Sequence, residues 1–292
     1  MCILATRRVS LHVLPSVVRP QRGVFIHGAW LASNSWERFA AFFSNLGYAT
    51  LTPEWPRKAG DVAALRASAP DVAGLGVEEI VDHYAAIIDE LDDEPIVIGH
   101  SFGGLITQIL PGQGVGRAAV AMDPAAPKGV KRVPLSSLRA ASPAIAHPSK
   151  RRGVVDLDFE QFNYAFTNTW DPADARQAFE RYAVPETGRI FFENGLASFT
   201  LHGPTEVDFD RGDRGPLLIT GGEHDHTVPP AVAKANFHKY RHSAATTQFV
   251  EFPGRSHLLM AGDGWEEVTQ YVADWLDRVL RPAPVGGDQE GA

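Results

Sequence analysis

The chain has 292 residues, of which 44% are hydrophobic and 21% charged, the proportions of a soluble globular protein with one large domain or two small ones. Its 27 Lys+Arg against 35 Asp+Glu leave a formal charge of −8, which argues against a basic surface for nucleic acid. A single cysteine, Cys2, excludes a disulfide framework and a cysteine-rich zinc site, and there is no apolar run long enough to span a membrane.

The chain opens on MCILATRRVSLHVLPSVV, whose arginines interrupt the apolar stretch and which lacks a small-residue cleavage site. It reads poorly as a signal peptide and predicts a cytoplasmic protein. Short β-rich runs follow: GVFIHG from Gly23, YATLTPEW from Tyr48, PIVIGHS from Pro95 and RAAVAMD from Arg117. After a long interruption come PLLITGGE from Pro216 and TTQFVEFP from Thr246. Most are continuous apolar runs, the pattern of strands buried on both faces of a parallel sheet. Between them, VEEIVDHYAAIIDEL sets Ile80, Tyr84, Ile87, Ile88 and Leu91 on one helical stripe, with Glu78 and Glu79 at the positive end of its dipole. Residues 265–280 repeat the stripe with Val268, Tyr271, Val272, Trp275, Leu276 and Val279. Strand–helix alternation of this kind predicts a doubly wound α/β fold.

The alternation breaks between about Lys128 and Asp213. Residues 159–199 hold 10 of the chain's 28 aromatic residues, too many for a solvated loop, so a helical cap is expected here. Phe162, Phe166, Phe179, Phe191, Phe192 and Trp170 belong to it, and Phe162, Phe166 and Trp170 are expected to line an apolar pocket together with Trp30. Seven cationic residues and no acid fall in 128–152, read as a solvated hinge of the cap. The tail RPAPVGGDQEGA is Pro/Gly/polar and reads as disordered.

The chemistry points to Gly99-His100-Ser101-Phe102-Gly103, a G-x-S-x-G between the strand PIVIG and the helical LITQIL. Strand, tight turn and helix is the setting that exposes a nucleophilic serine at a helix N-terminus, and the flanking glycines keep the turn free of collisions. A serine hydroxyl needs a base and an orienting acid. His257, in a loop after the last strand, is the candidate base. Asp225, after the strand PLLITGG, is the candidate acid and keeps the order Ser…Asp…His, with Glu223 and Asp123 as rivals. Backbone donors for the oxyanion are expected from the N–H groups of Phe102 and of Ala29, with Trp30 as a further possible donor. His100, His224 and His226 match no metal spacing, so no metal site is expected, and His100 is read as bonded within the core. No phosphate-binding glycine motif is present, which predicts no nucleotide cofactor.

Together these residues resemble the α/β-hydrolase superfamily from about Gly23 to Leu280. The HGAWLASNSWERF segment followed by G-H-S-x-G-G is similar to the esterase branch containing plant methylesterases and hydroxynitrile lyases. The resemblance maps the oxyanion hole onto Ala29 and Phe102. The lysine that the lyases carry after the acid loop is replaced here by His226-Thr227-Val228, so cyanohydrin cleavage is not implied. Ser101 stands where epoxide hydrolases and haloalkane dehalogenases place an aspartate. The resemblance implies a mostly parallel sheet with a cap inserted after the sixth strand, residues 1–127 and 213–280 forming the core and 128–212 the cap. The expected activity is a cofactor-free serine hydrolase acting on a small hydrophobic ester or lactone through an acyl-enzyme. A perhydrolase or haloperoxidase-like enzyme and a slow-hydrolysing receptor are the alternatives. The expected partner is a small molecule, with neither nucleic acid nor membrane.

Overall fold

The fold is taken from a computed structural model that describes residues 21–197 and 202–281. The N-terminal stretch read for a leader, Cys2 and the tail beyond Arg281 lie outside the described residues.

Six strands form one parallel sheet: β1 (Arg22–Ile26), β2 (Ala49–Leu51), β3 (Ile96–His100), β4 (Ala118–Met122), β7 (Leu217–Gly222) and β8 (Thr247–Phe252). They correspond to the six β-rich runs of the sequence. The order is β2-β1-β3-β4-β7-β8. β3, β4 and β7 are buried throughout, as their unbroken apolar runs require, whereas the edge strand β8 is mostly half-exposed.

The order turns on itself once. From β1 the chain steps outward to β2, then returns to the far side of β1 to lay down β3. With right-handed crossovers, the helix leaving β1 covers one face and the helix leaving β3 the other. These are α1 (Glu37–Asn45) and α4 (Phe102–Gly112). The cleft outside the C-terminal ends of β1 and β3 is therefore the reversal point, where open α/β sheets bind ligands. His27-Gly28-Ala29 and Ser101 sit there.

The predicted stripes form α3 (Val77–Asp89) and α10 (Trp265–Leu280). Ile80, Tyr84 and Ile88 are buried on the first, and Val268, Val272, Trp275 and Leu276 on the second. Leu91 falls beyond the end of α3. Helix α4 is buried from Phe102 to Pro111, because it packs on β3 and β4 and beside α3. None of the helices among the described residues is long and apolar enough to cross a membrane.

The insertion leaves the sheet after β4, the fourth sheet strand among the described residues and not the sixth, because the described chain enters the sheet at Arg22. It holds α5 (Leu135–Ile145), α6 (Phe159–Phe166), α7 (Pro172–Tyr182) and α8 (Arg189–Leu196). It also holds a small antiparallel pair that the sequence reading missed, β5 (Val154–Val155) with β6 (Glu186–Thr187).

Polar clamps fix this insertion to the sheet domain. The N-cap of α3 is Gly76, which has no side chain to cap with, and Glu193 of α8 instead accepts the Val77 N–H at 2.8 Å. Lys58 and Glu186 form an ion pair at 2.7 Å, with side-chain exposures of 2% and 0%. Lys58 Nζ also donates to the Leu31 carbonyl at 3.2 Å and lies 4.9 Å from the centre of the Trp55 ring. Removing one member of a buried pair strands the other charge at a cost of about 3–5 kcal/mol, while replacing both is often close to neutral. Glu186→Leu should therefore lower stability by about that amount, and Lys58→Met with Glu186→Leu should recover most of it. Urea unfolding of the two variants checks this.

Candidate active site

Three glycines make room for the turn at Ser101. A Cβ on Gly99 would run into the Gly103 carbonyl and Thr107 Oγ1, and one on Gly103 into the Ile26 carbonyl. A Cβ on Gly28 would lie 2.8 Å from Ser101 Cβ. The serine itself has φ 56 and ψ −118, a conformation that costs a non-glycine residue about 1–3 kcal/mol. It is held there by its own peptide groups. The Ser101 N–H donates to the Met122 carbonyl at 2.9 Å, and the Ser101 carbonyl accepts from Leu105 at 3.0 Å and Ala125 at 2.9 Å.

Asp225 and His257 meet in the loops that follow β7 and β8. Both side chains are fully buried, and His257 Nδ1 donates to Asp225 Oδ2 at 2.6 Å. The other carboxylate oxygen of Asp225 accepts the N–H groups of Thr227 at 2.7 Å and Val228 at 2.8 Å. The carboxylate is thus fixed from two sides. His257 Nε2 is buried and has no hydrogen-bond partner among the described residues. The His257 carbonyl accepts from His100 Nε2 at 2.9 Å, and the two rings lie 4.5 Å apart. Burial, and then the neighbouring His257, push His100 well below the usual imidazole range, so it is neutral.

The rival acids part company. Glu223 is exposed and accepts the Gly254 N–H at 2.8 Å. Asp123 is buried, and a carboxyl oxygen of it lies within 4.8 Å of ligand atoms of both Asp225 and His257. The histidines do not converge: His226 Nδ1 pairs with the Tyr164 carbonyl at 3.0 Å, and His224 is exposed.

Above Ser101 lies a cavity of about 410 Å³ with predominantly apolar walls. Its walls include Ala29, Trp30, Ser101, Phe102, Phe166, Phe191, Val130, Leu138 and Leu196. The N–H groups of Ala29 and Phe102 pair with no backbone carbonyl among the described residues. Trp30 donates its indole N–H to the Val155 carbonyl at 3.1 Å and stacks on Phe191 with ring centres 4.3 Å apart.

Of the four expected wall residues, Trp30 and Phe166 line this cavity; Phe162 and Trp170 do not. Phe162 is fully buried inside the insertion, stacked on Phe166 at 4.8 Å and edge-on to Phe179 at 5.5 Å. Trp170 lines a separate, charged depression of about 530 Å³. There its indole donates to Ser256 Oγ at 3.1 Å, bracing the His257 loop from outside. Phe191 and Phe192, counted in the aromatic pool but not assigned to the pocket, do line it. Each follows Ile190 in a short helix, and only the tertiary fold decides which way such neighbours face.

Comparison with known proteins agrees with this architecture. The sequence profile described as "Alpha/beta hydrolase family" matches residues 24–271. The chain belongs to the alpha/beta hydrolase family. No curated protein matches the sequence at a significant level. Among solved structures, the chain is similar to the monoacylglycerol lipase of Paleococcus ferrophilus at 21% identity, with 88% of this chain and 95% of that chain covered and a TM-score of 0.62. It is similar to an extracellular alpha/beta-hydrolase from a Paenibacillus species, described as sharing structural and functional homology with tobacco salicylic acid binding protein 2. Here identity is 20%, coverage 90% and 100%, and the TM-score 0.60. The putative non-heme bromoperoxidase BpoC of Mycobacterium tuberculosis is similar at 20% identity, with coverage of 89% and 93% and a TM-score of 0.66. At these identities the likeness concerns the fold.

Within this alpha/beta hydrolase the loop carrying Ala29 is fixed from behind. His27 is buried, with Nδ1 2.9 Å from the Gly28 carbonyl and Nε2 3.1 Å from Glu54 Oε2. Burial alone would raise the Glu54 carboxyl, but its contacts with His27 and with the Ser33 N–H outweigh that and hold it down at about 2. A depressed carboxyl contributes stability above its unfolded value that is lost as pH falls through the folded one. That contribution, on the order of 3 kcal/mol, should therefore disappear between about pH 4.5 and 2. Glu54→Gln should be less stable than the parent at pH 7 and converge on it in that acid window, as followed by denaturant unfolding at each pH.

Proposed function

We propose that this protein is a serine hydrolase that cleaves a small hydrophobic carboxylic ester or lactone through an acyl-enzyme, with residues 128–212 acting as the cap over the site. The observation that carries the reading is the buried His257, tied through Nδ1 to Asp225 and with Nε2 left without a partner, in a fold whose strained Ser101 lines an apolar cavity.

In this reading Ser101 Oγ attacks the ester carbonyl while His257 Nε2 takes its proton. The Asp225 carboxylate holds the imidazole in the tautomer that can do so and stabilises the imidazolium that forms. The carbonyl oxygen becomes an oxyanion facing the N–H groups of Ala29 and Phe102. Collapse of the tetrahedral intermediate breaks the bond to the alkoxy oxygen, which leaves with the proton from His257. Water then repeats the sequence on the acyl-serine, releasing the acid and restoring the hydroxyl of Ser101. No step calls for a metal or redox cofactor.

The apolar walls supply the binding energy. A cavity of about 410 Å³ accepts a short acyl chain or a single aromatic ring, and each buried methylene contributes about 0.8 kcal/mol, roughly fourfold in kcat/KM. With p-nitrophenyl esters of graded length, kcat/KM should rise from acetyl to butyryl or hexanoyl before falling. A series that peaks at acetyl would mean that the aromatic walls close on the nucleophile. Ser101→Ala should lower kcat by about 10⁶ and Asp225→Asn by about 10⁴, both with unchanged circular dichroism. Retention of more than a few per cent of the parent rate in Ser101→Ala would remove the serine from its role.

A further inference from the structure

Asp123 follows β4 with φ 43 and is completely buried, although a left-handed aspartate at a strand end has no obvious reason to be shielded from water. Its Oδ1 accepts the Gly222 N–H at 2.6 Å, and its own N–H meets Thr220 Oγ1 at 3.3 Å. Its Oδ2 has no hydrogen-bond partner among the described residues. The titratable groups packed around it are Asp225 from the loop after β7 and His257 from the loop after β8. Behind His257 lies the neutral ring of His100 on β3.

Two carboxyl groups thus share one dry pocket behind a single histidine, and they differ in how they are supported. Asp225 has three hydrogen-bond donors, the N–H groups of Thr227 and Val228 and the imidazole. The Asp123 carboxyl has one donor, the Gly222 N–H, on Oδ1 only. Like charges at this range cannot both persist without water, and the better-solvated group keeps the charge. Burial first, and the Asp225 charge second, push the Asp123 carboxyl well above the usual carboxylate range. Because Oδ1 is already accepting, the proton belongs on Oδ2.

We propose that Asp123 is a positioning residue: an un-ionised carboxylic acid whose Oδ2 proton is offered to the Asp225 carboxylate, so that His257 works against one dispersed negative charge. The inference rests on the hydrolase reading for its catalytic consequence, but not for the state of Asp123. A fourth donor on Asp225 spreads its charge and lets the imidazolium release its proton to the leaving alkoxide. Without that donor the full carboxylate charge would face His257, and the base would protonate at higher pH.

The test combines two variants and two readouts. Infrared difference spectra of wild type minus Asp123→Asn at pH 7 should show the carbonyl stretch of a protonated carboxylic acid. This measurement does not depend on any ester being a substrate. In the pH profile of kcat/KM, Asp123→Asn, which keeps a neutral donor, should leave the acidic limb in place. Asp123→Leu, which is similar in size and has no donor, should move that limb up by about one pH unit and lower kcat more than it raises KM. Absence of the infrared band overturns the proposal. So does a downward shift of the limb in Asp123→Asn, the signature of a lost negative charge. A folded Asp123→Leu with an unmoved limb would make the residue merely structural. If Asp123→Leu does not fold, Asp123→Asn and the infrared spectrum still decide. If the wild type hydrolyses no ester, the hydrolase reading fails while the infrared result still settles the state of Asp123.

Discussion

The left-handed turn at Ser101 is the constraint on which the rest of the site depends. A serine at φ 56 is unfavourable by about 1–3 kcal/mol, yet three peptide hydrogen bonds close on it, each contributing about 0.5–1.5 kcal/mol. The bonds reach Met122 on β4, Leu105 in α4 and Ala125 after β4, so the strain is offset only when sheet, helix and following loop are all assembled. The same turn dictates sequence far from itself. Gly28, on a different strand end, must lack a side chain because Ser101 occupies the space. Trp30, Arg57, Ser101 and Asp123 are the non-glycine residues with positive φ among the described residues, and each follows the C-terminal end of one of β1 to β4. Strain is gathered along the edge of the sheet where the cleft opens.

The insertion completes the cleft, and its aromatic residues divide between its own interior, the cavity wall and the sheet domain. Phe162 and Phe179 pack within it, while Phe166 and Phe191 turn one side to Trp30 and the other to the cavity. The Phe166 carbonyl accepts the Leu258 N–H at 3.1 Å, so the helix that walls the pocket is bonded to the residue following His257. The Val184 N–H donates to the Trp30 carbonyl at 3.0 Å, tying the loop that carries Ala29 and Trp30 to the same insertion. Pocket shape and the placement of the histidine are mechanically one unit.

Much of this was legible in the sequence, for identifiable reasons. Strands buried on both faces must be apolar throughout, so β3, β4 and β7 announced themselves, and amphipathic stripes marked α3 and α10. The G-x-S-x-G could be placed at a strand-to-helix turn from its neighbours alone. β5 and β6 were not legible, because two residues carry no periodicity and pair only after the insertion folds. The direction of each aromatic was hidden for the same reason: Trp170 and Phe166 are alike in composition, but the chain turns after Thr167 and carries the tryptophan to the outer side of the His257 loop. Asp123 and Asp225 both end strands in the sequence. Only the structure shows that they stand side by side, one fully bonded and the other not.

The central claim is that the strained serine is the reactive group, and covalent labelling tests it most directly. The native protein treated with a fluorophosphonate should gain the mass of one adduct, located on Ser101 by tryptic mass spectrometry, and a heat-denatured sample should gain none. Labelling of a different serine, or equal labelling before and after denaturation, would contradict the account.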